Sequence, residues 1–180
     1  ARRLNGFHLW TGAMYRCIAL YCFDKNIDLH DEDAVISVLP EVEIDINQSR
    51  VCLNGIDVTD RITGQEVANF SSVVSAIPEV RKEMVNMQRK VAEKSLTRGV
   101  PVIAEGRDAA TRIFPHAEFK LFLTSRPEVR AERRLAQHQK RGDTSMTLSE
   151  ILADTNLRDS RDVKRDTDPL VIDPESHGYF

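Results

Sequence analysis

Cysteine is scarce and unpaired in this 180-residue chain: Cys17, Cys22 and Cys52 are an odd count with no CxxC spacing. That pattern argues against a disulfide framework and against a zinc site, and the thiols read as reduced, as in a cytosolic protein. Positive charge is not in surplus either. A formal net charge of -3 and a pI near 6.0 give no global attraction for nucleic acid or an anionic membrane, so any anion site has to be local. No uninterrupted apolar stretch approaches the length of a membrane span, and the start does not read as a secretory signal. His8, His30, His116, His138 and His177 are scattered, so no Ser-His-Asp order and no metal-ligand cluster can be read, and each histidine reads as structural or surface. Repeats and low-complexity tracts are missing as well.

What is present is a chain of 41% hydrophobic residues, enough to bury one substantial core with a small inserted subdomain. Its start, Ala1-Arg2-Arg3-Leu4-Asn5-Gly6, reads as the last turn of a helix with Gly6 as a left-handed cap, so the chain is expected to begin mid-element, as a fragment. Phe7 to Trp10 reads as a short strand. Met14, Cys17, Ile18, Tyr21 and Cys22 then follow at helical spacing, with Arg16 in the early turns. Asp31 is placed to cap a second helix carrying Ala34, Val35, Val38 and Leu39, which ends before Pro40.

From Val42 the period changes to two. Val42, Ile44 and Ile46 alternate with acids, and Val51 and Leu53 precede Asn54-Gly55, a pair that favours a tight hairpin turn. Pro78 suits the first turn of a helix whose apolar face is Val80, Met84, Met87 and Val91, with Arg81 and Arg89 off that stripe. Phe119 to Leu123 is a later apolar run. Pro127 begins a helix bearing Arg130, Arg133, Arg134, Lys140 and Arg141, which Gly142 stops. Arg130 and Arg134 share a face, with Glu128 and Glu132 in partial compensation. Thr147 with Glu150 forms a capping box for a last helix carrying Leu148, Ile151, Leu152 and Leu157, and its far end alternates in charge from Arg158 to Arg165.

The stretch from Val100 to Asp108 carries the chemistry. Val100 to Ala104 reads as a strand covered on both faces, though periodicity alone also allows a buried helix, and as a strand it delivers Glu105, Gly106, Arg107 and Asp108 to its carboxyl end, where open parallel sheets bind ligands. A guanidinium offers forked donors to phosphate, a carboxylate accepts from amino or hydroxyl groups, and Gly106 lets backbone approach a ligand closely. A surface turn with a solvated ion pair is the competing reading. Arg16, Arg81, Arg107, Arg158 and Arg165 come from separate elements, several at element ends where side chains can meet over a sheet edge. Phosphoryl transfer uses such a set, because its transition state spreads negative charge over phosphate oxygens.

Thr11-Gly12-Ala13-Met14-Tyr15-Arg16, Asp57-Val58-Thr59-Asp60 with Glu66-Val67, Ile77-Pro78-Glu79-Val80-Arg81, Glu105-Gly106-Arg107-Asp108, Phe114-Pro115 and Arg158-Asp159-Ser160-Arg161-Asp162 occur in that order, and over nearly its whole length the chain resembles bacterial cytidylate kinases. The resemblance implies an α/β fold. It would be a three-layer parallel sheet of the P-loop nucleoside-monophosphate kinase type, with a core of residues 1–33 and 97–180, a small antiparallel monophosphate-binding insert over 34–96, and a helical lid over about 138–166. It implies transfer of the ATP γ-phosphate to CMP or dCMP with Mg2+, giving CDP or dCDP. It puts cytosine recognition on Ser72, Arg81 and Asp108, acceptor-phosphate contacts on Arg16, Arg107 and Arg165, and ribose contacts on Arg158 and Asp162. Arg130 and Arg134 would face ATP or hold the lid closed. Glu105 stays open between orienting a magnesium-bound water and a structural carboxylate. No residue is assigned as a metal ligand, and the protein is expected to be a cytoplasmic monomer whose partners are small nucleotides, not nucleic acid or membrane.

Three departures accompany the resemblance. No Gly-Lys pair, the end of the family's glycine-rich phosphate loop, occurs anywhere; Trp10 stands in His8-Leu9-Trp10 where the family has an aspartate; and the chain stops at Gly178-Tyr179-Phe180, around where the family's last strand begins. The chain alone is therefore expected to hold mainly the acceptor side, binding CMP weakly with little ATP-dependent turnover. The alternative is a non-catalytic nucleotide-binding module on the same fold. A third reading, nucleic-acid binding through the helix from Arg130 to Arg141, is disfavoured by the overall acidity.

Overall fold

The computed structural model describes residues 1–47, 50–140, 142, 144–164, 167–170 and 179. They divide into two units, residues 1–117 with 167 and 168, and residues 118–164 with 169, 170 and 179. Arg141, Arg165 and residues 171–178 lie outside the described residues, and so do the expectations placed on them.

In the first unit a short 3-10 turn, Arg2–Leu4, is closed by Asn5 at φ 46°, not by Gly6. Asparagine tolerates the left-handed region because its side chain bonds locally. Gly6 has a different task, since a Cβ there would collide with Ile103 and the Pro101 carbonyl where the first strand meets its partner. That strand, β1 (Phe7–Trp10), runs straight into α1 (Thr11–Asp24). Helix α1 buries residues around most of its circumference, among them Met14, Tyr15, Cys17, Ile18, Leu20 and Cys22, as expected of a helix packed on several sides. Helix α2 (Glu32–Ser37) begins where Asp31 accepts from the Ala34 amide at 3.0 Å, as the sequence predicts.

Strands β2 (Ile44–Asn47), β3 (Arg50–Leu53) and β4 (Ile56–Asp57) form an antiparallel sheet in the order β2-β3-β4. Ile44, Ile46, Val51 and Leu53 turn inward while their neighbours along the strands are more exposed. Asn54 (φ 48°) and Gly55 (φ 78°) supply the two positive-φ positions of the tight turn between β3 and β4. Helix α3 (Gln65–Val74) packs chiefly on α1.

Helix α4 (Pro78–Leu96) starts at Pro78 as expected, but its buried face is not the purely apolar stripe. Arg81 and Gln88 are buried along with Val80, Met84, Val85 and Ala92. Arg81, off the apolar stripe, is nonetheless only 2% exposed. Strand β5 (Val102–Glu105) pairs in parallel with β1, Phe7 opposite Val102 and Trp10 opposite Glu105. Its Val102, Ile103 and Ala104 are half-buried, not fully covered, in a described sheet two strands wide whose β5 has β1 as its paired neighbour. The turn after β5, Ala109–Ile113, is a short π-helix.

In the second unit α5 (Pro127–Lys140) packs on α6 (Leu148–Lys164). Gly142 at φ 76° follows α5, with its amide bonded to the Gln139 carbonyl at 3.0 Å. The capping box at the start of α6 forms: the Thr147 amide donates to Glu150 Oε2 at 2.7 Å. Phe119, Leu121 and Leu123 are 81%, 71% and 94% exposed, and this run forms no strand among the described residues. The fold is thus mixed α/β, a parallel sheet with helices and a separate antiparallel sheet. No described helix is long and apolar enough to cross a membrane.

Candidate active site

Strand β5 ends in a charge-bearing turn, and α4 brings a buried cation to it. Asp108, 5% exposed, caps the π-helix with its main-chain carbonyl, which accepts from the Arg112 amide at 2.9 Å. Its carboxylate faces Arg81, which sits one turn into α4 with its amide bonded to the Ile77 carbonyl.

The Arg81 guanidinium is engaged through each of its three nitrogens. Nη2 donates to Asp108 Oδ2, Nη1 to the Ser75 carbonyl at 3.2 Å, and Nε to Asp168 Oδ2 at 2.9 Å. The Tyr15 ring lies 5.7 Å from the guanidinium carbon. Burial works to lower the Arg81 pKa, but Tyr15, Asp108 and Asp168 outweigh it, so the group is held above its ordinary value and stays charged. A desolvated cation with two carboxylates is an arrangement a core retains at a cost, since a buried pair is no cheaper than well-packed hydrophobic groups. It can present donors and an acceptor to one planar polar edge.

Arg16 emerges from α1 and donates through Nη1 to the Ile62 carbonyl at 2.6 Å, with the Trp10 ring 5.4 Å from its guanidinium carbon. Trp10 therefore lies against the cation. Arg107 is half-buried and directly precedes Asp108, so Arg16 and Arg107 both follow strands ending at the same sheet edge. Ser72, on α3, has its Oγ enclosed with no hydrogen-bond partner among the described residues. Glu105 is exposed and its Oε2 lies 3.4 Å from His8 Nε2. Gly106 leaves room for Thr11: a Cβ there would fall on the Thr11 hydroxyl, which donates to the Glu105 carbonyl.

In the second unit, Arg158 and Asp162 are one turn apart on α6, Asp162 buried and Arg158 half-buried. Arg130 donates through Nη2 to Asp159 at 2.6 Å, while burial lowers the Arg134 pKa and the nearby Asp154 charge opposes it. Acids of α6 thus take part in compensating these two cations. Arg165 lies outside the described residues.

Sequence reasoning missed Asp168, Arg112 and Tyr15. Asp168 is paired with Arg81 and, through Oδ1, with Arg112 Nε at 3.4 Å. Its only signal in the chain is an acid directly before a proline, past the end of the charged run. Tyr15 and Arg112 belong to segments already singled out, Tyr15 beside Arg16 and Arg112 just after Asp108, yet their partners come from other elements.

A family model described as Cytidylate kinase matches residues 1–177. The chain is similar to the cytidylate kinase of Caldanaerobacter subterraneus subsp. tengcongensis, 42% identical over 171 residues, 94% of this chain and 74% of that protein. It is 39% identical over 180 residues to the cytidylate kinase of Geobacillus kaustophilus, covering 98% of this chain and 78% of the relative. Against the cytidylate kinase of Corynebacterium efficiens it is 40% identical over 181 residues, 98% of this chain and 76% of the relative. The class is that of nucleoside-monophosphate kinases, which are phosphotransferases. Within that class, the chain belongs to the cytidylate kinase family. The reading as a non-catalytic module is not favoured.

Proposed function

We propose that this protein accepts CMP or dCMP at the Arg81–Asp108 site and transfers to it the terminal phosphate of ATP, giving CDP or dCDP. The observation that carries the reading is the buried pairing of Arg81 with Asp108. The polar edge of cytosine offers an exocyclic amine beside two acceptors, and a carboxylate next to a guanidinium is its complement. Uracil presents a carbonyl and an N–H at those places, which sets like against like and leaves buried groups unpaired. The enclosed Ser72 hydroxyl is a further partner for the base. Arg16 and Arg107 are assigned to the acceptor phosphate, Arg165 with them, and Arg158 and Asp162 to the ribose. Arg130 and Arg134 are assigned to the ATP side or to holding a lid.

In this reading the cations orient the acceptor and neutralise charge that develops on the moving phosphoryl group, and no side chain forms a covalent intermediate. The finer architecture belongs to the same proposal: a P-loop kinase core, an insert over 34–96 and a lid over about 138–166, in a cytoplasmic monomer. No Gly-Lys phosphate loop occurs within these 180 residues. Kinases of this class use ATP, generally with magnesium. Among the described residues no three His, Cys, Asp or Glu side chains cluster to hold a metal ion. Magnesium that arrives on nucleotide phosphates keeps most of its waters and asks for no such cluster, and no step here is routed through it.

Release of ADP from ATP in the presence of CMP, dCMP or UMP tests the reading. CMP and dCMP are expected to be turned over with kcat/KM at least about a hundredfold above UMP, as for a site whose buried polar groups would be left unpaired by the wrong base. Equal turnover of UMP and CMP would overturn it.

A further inference from the structure

The Arg81 guanidinium is held by a carboxylate that the cytosine chemistry does not call for. Asp168 takes the Nε–H of Arg81 on Oδ2 at 2.9 Å and faces Arg112 Nε with Oδ1 at 3.4 Å. Arg112 is in turn tied to α4: its carbonyl accepts from Arg89 Nη2 at 2.9 Å, and the next carbonyl, of Ile113, accepts from Arg89 Nε at 3.0 Å. Asp168 therefore bridges a cation on α4 and a cation on the turn that carries Asp108. Two arginines and two aspartates make this a charge-neutral quartet at the proposed base site.

The backbone at Asp168 is held against its preference. Its φ is 47°, in the left-handed region, and the residue that follows is Pro169. A residue before proline is pushed towards extended conformations, and non-glycine residues in the left-handed region persist where the surroundings over-determine them. Its ion pairs to Arg81 and Arg112 are among the contacts that hold Asp168 there.

A guanidinium has two usable edges, and its plane is free to turn about the side chain until one edge is fixed. With Nε–H engaged by Asp168, the remaining hydrogens of Nη1 and Nη2 are the donors left for a base. Resting on the reading of Arg81 and Asp108 as the groups that recognise cytosine, we infer that Asp168 is a positioning and specificity-determining residue: it fixes the rotation of the Arg81 guanidinium so that its Nη side, beside Asp108, meets the pyrimidine.

The test is calorimetric titration of the full chain with CMP, UMP and ribose 5-phosphate, for the native protein, Asp168→Ala and Asp168→Asn, with thermal melting recorded for each. In Asp168→Ala, CMP affinity is expected to fall about tenfold, the size of one charge-assisted hydrogen bond, and the preference for CMP over UMP to narrow by a similar factor. Asp168→Asn keeps an oxygen for Nε–H and is expected to recover most of both. Ribose 5-phosphate, which has no base, is expected to bind all three alike. A native protein indifferent between CMP and UMP overturns the base reading and this inference with it. A native preference that survives in Asp168→Ala overturns the inference alone, as does an equal loss of ribose 5-phosphate binding, which marks a general structural role. Tighter CMP binding by Asp168→Ala also overturns it, since Asp168 would then be competing with the base for Arg81.

Discussion

Thr11 donates its hydroxyl to the main-chain carbonyl of Glu105 at 2.7 Å and so fastens the first turn of α1 to the last residue of β5. The bond sits where the two parallel strands end, with Trp10 opposite Glu105 in register. Every group assigned to the acceptor in the first unit, apart from Ser72 and Arg81, leaves the backbone within a few residues of it. Its geometry depends on Gly106, whose missing side chain leaves room for the Thr11 hydroxyl.

Gly106→Ala is accordingly expected to lower stability by about 2 kcal/mol, the cost of overpacking with displacement of a hydrogen bond. Adding Thr11→Ala removes the colliding hydroxyl, and part of the loss should return. Urea unfolding monitored by circular dichroism measures both. A stable single variant, or a double variant showing simple additivity, contradicts the account.

Arg81 is shared by two carboxylates, the second of which also faces Arg112. Replacing it with Met leaves Asp108 and Asp168 without their shared cation, and the expected loss is about 3–5 kcal/mol. Combining Arg81→Met with Asp108→Asn should cost much less than the sum of the single changes, because the second change removes one of the stranded charges. Additive losses in chemical denaturation count against a coupled pair.

Acid sensitivity should trace in part to the antiparallel sheet. The Asp57 carboxyl is held well below its ordinary value, first by the Thr59 hydroxyl, then by Arg50 and the Thr59 amide. A carboxyl whose folded pKa is depressed adds stability above its unfolded pKa of about 3.9, and that share is lost as pH falls below this value towards the folded pKa. Melting temperatures from pH 7 down to pH 2 should drop more steeply for the native protein than for Asp57→Asn. Parallel curves would refute this.

The cysteines should separate by reactivity. Burial pushes the Cys17 thiol up to about 12, with the Cys52 charge adding to the effect, and burial pushes Cys22 up to about 11. Both are fully buried, whereas Cys52 is half-exposed on β3. With a disulfide reagent at pH 8, Cys52 should react first and the other two about a hundredfold slower, reaching the fast rate only in denaturant. Three equal rates in the folded protein would contradict the packing of α1.

Local patterns in the chain foretold local structure. The Asp31 cap, the Asn54-Gly55 turn, Pro78 at a helix start, the Thr147–Glu150 box and the Gly142 stop are decided by neighbours within four residues, so the sequence could declare them. Long-range decisions were harder to read. Arg81 lies off the apolar stripe by its spacing, and the arrival of Asp108 and Asp168 from distant segments helps make its burial tolerable. Gly106 was legible as a close approach, though not as one made by Thr11. Strand β5 announced itself by composition, while how far it is covered depends on neighbours its own residues do not encode. Asp168 carried little pattern beyond an acid before a proline; the role inferred for it rests on contacts made across the fold.

The central claim is that Asp108, beside Arg81, reads the amine of cytosine. Titrating CMP and UMP into the native protein and into Asp108→Asn tests it most directly, because an amide in that place can donate to the uracil carbonyl where a carboxylate cannot. The account predicts a native preference for CMP that Asp108→Asn abolishes or turns towards UMP. A folded Asp108→Asn variant that still prefers CMP by the native margin would contradict it.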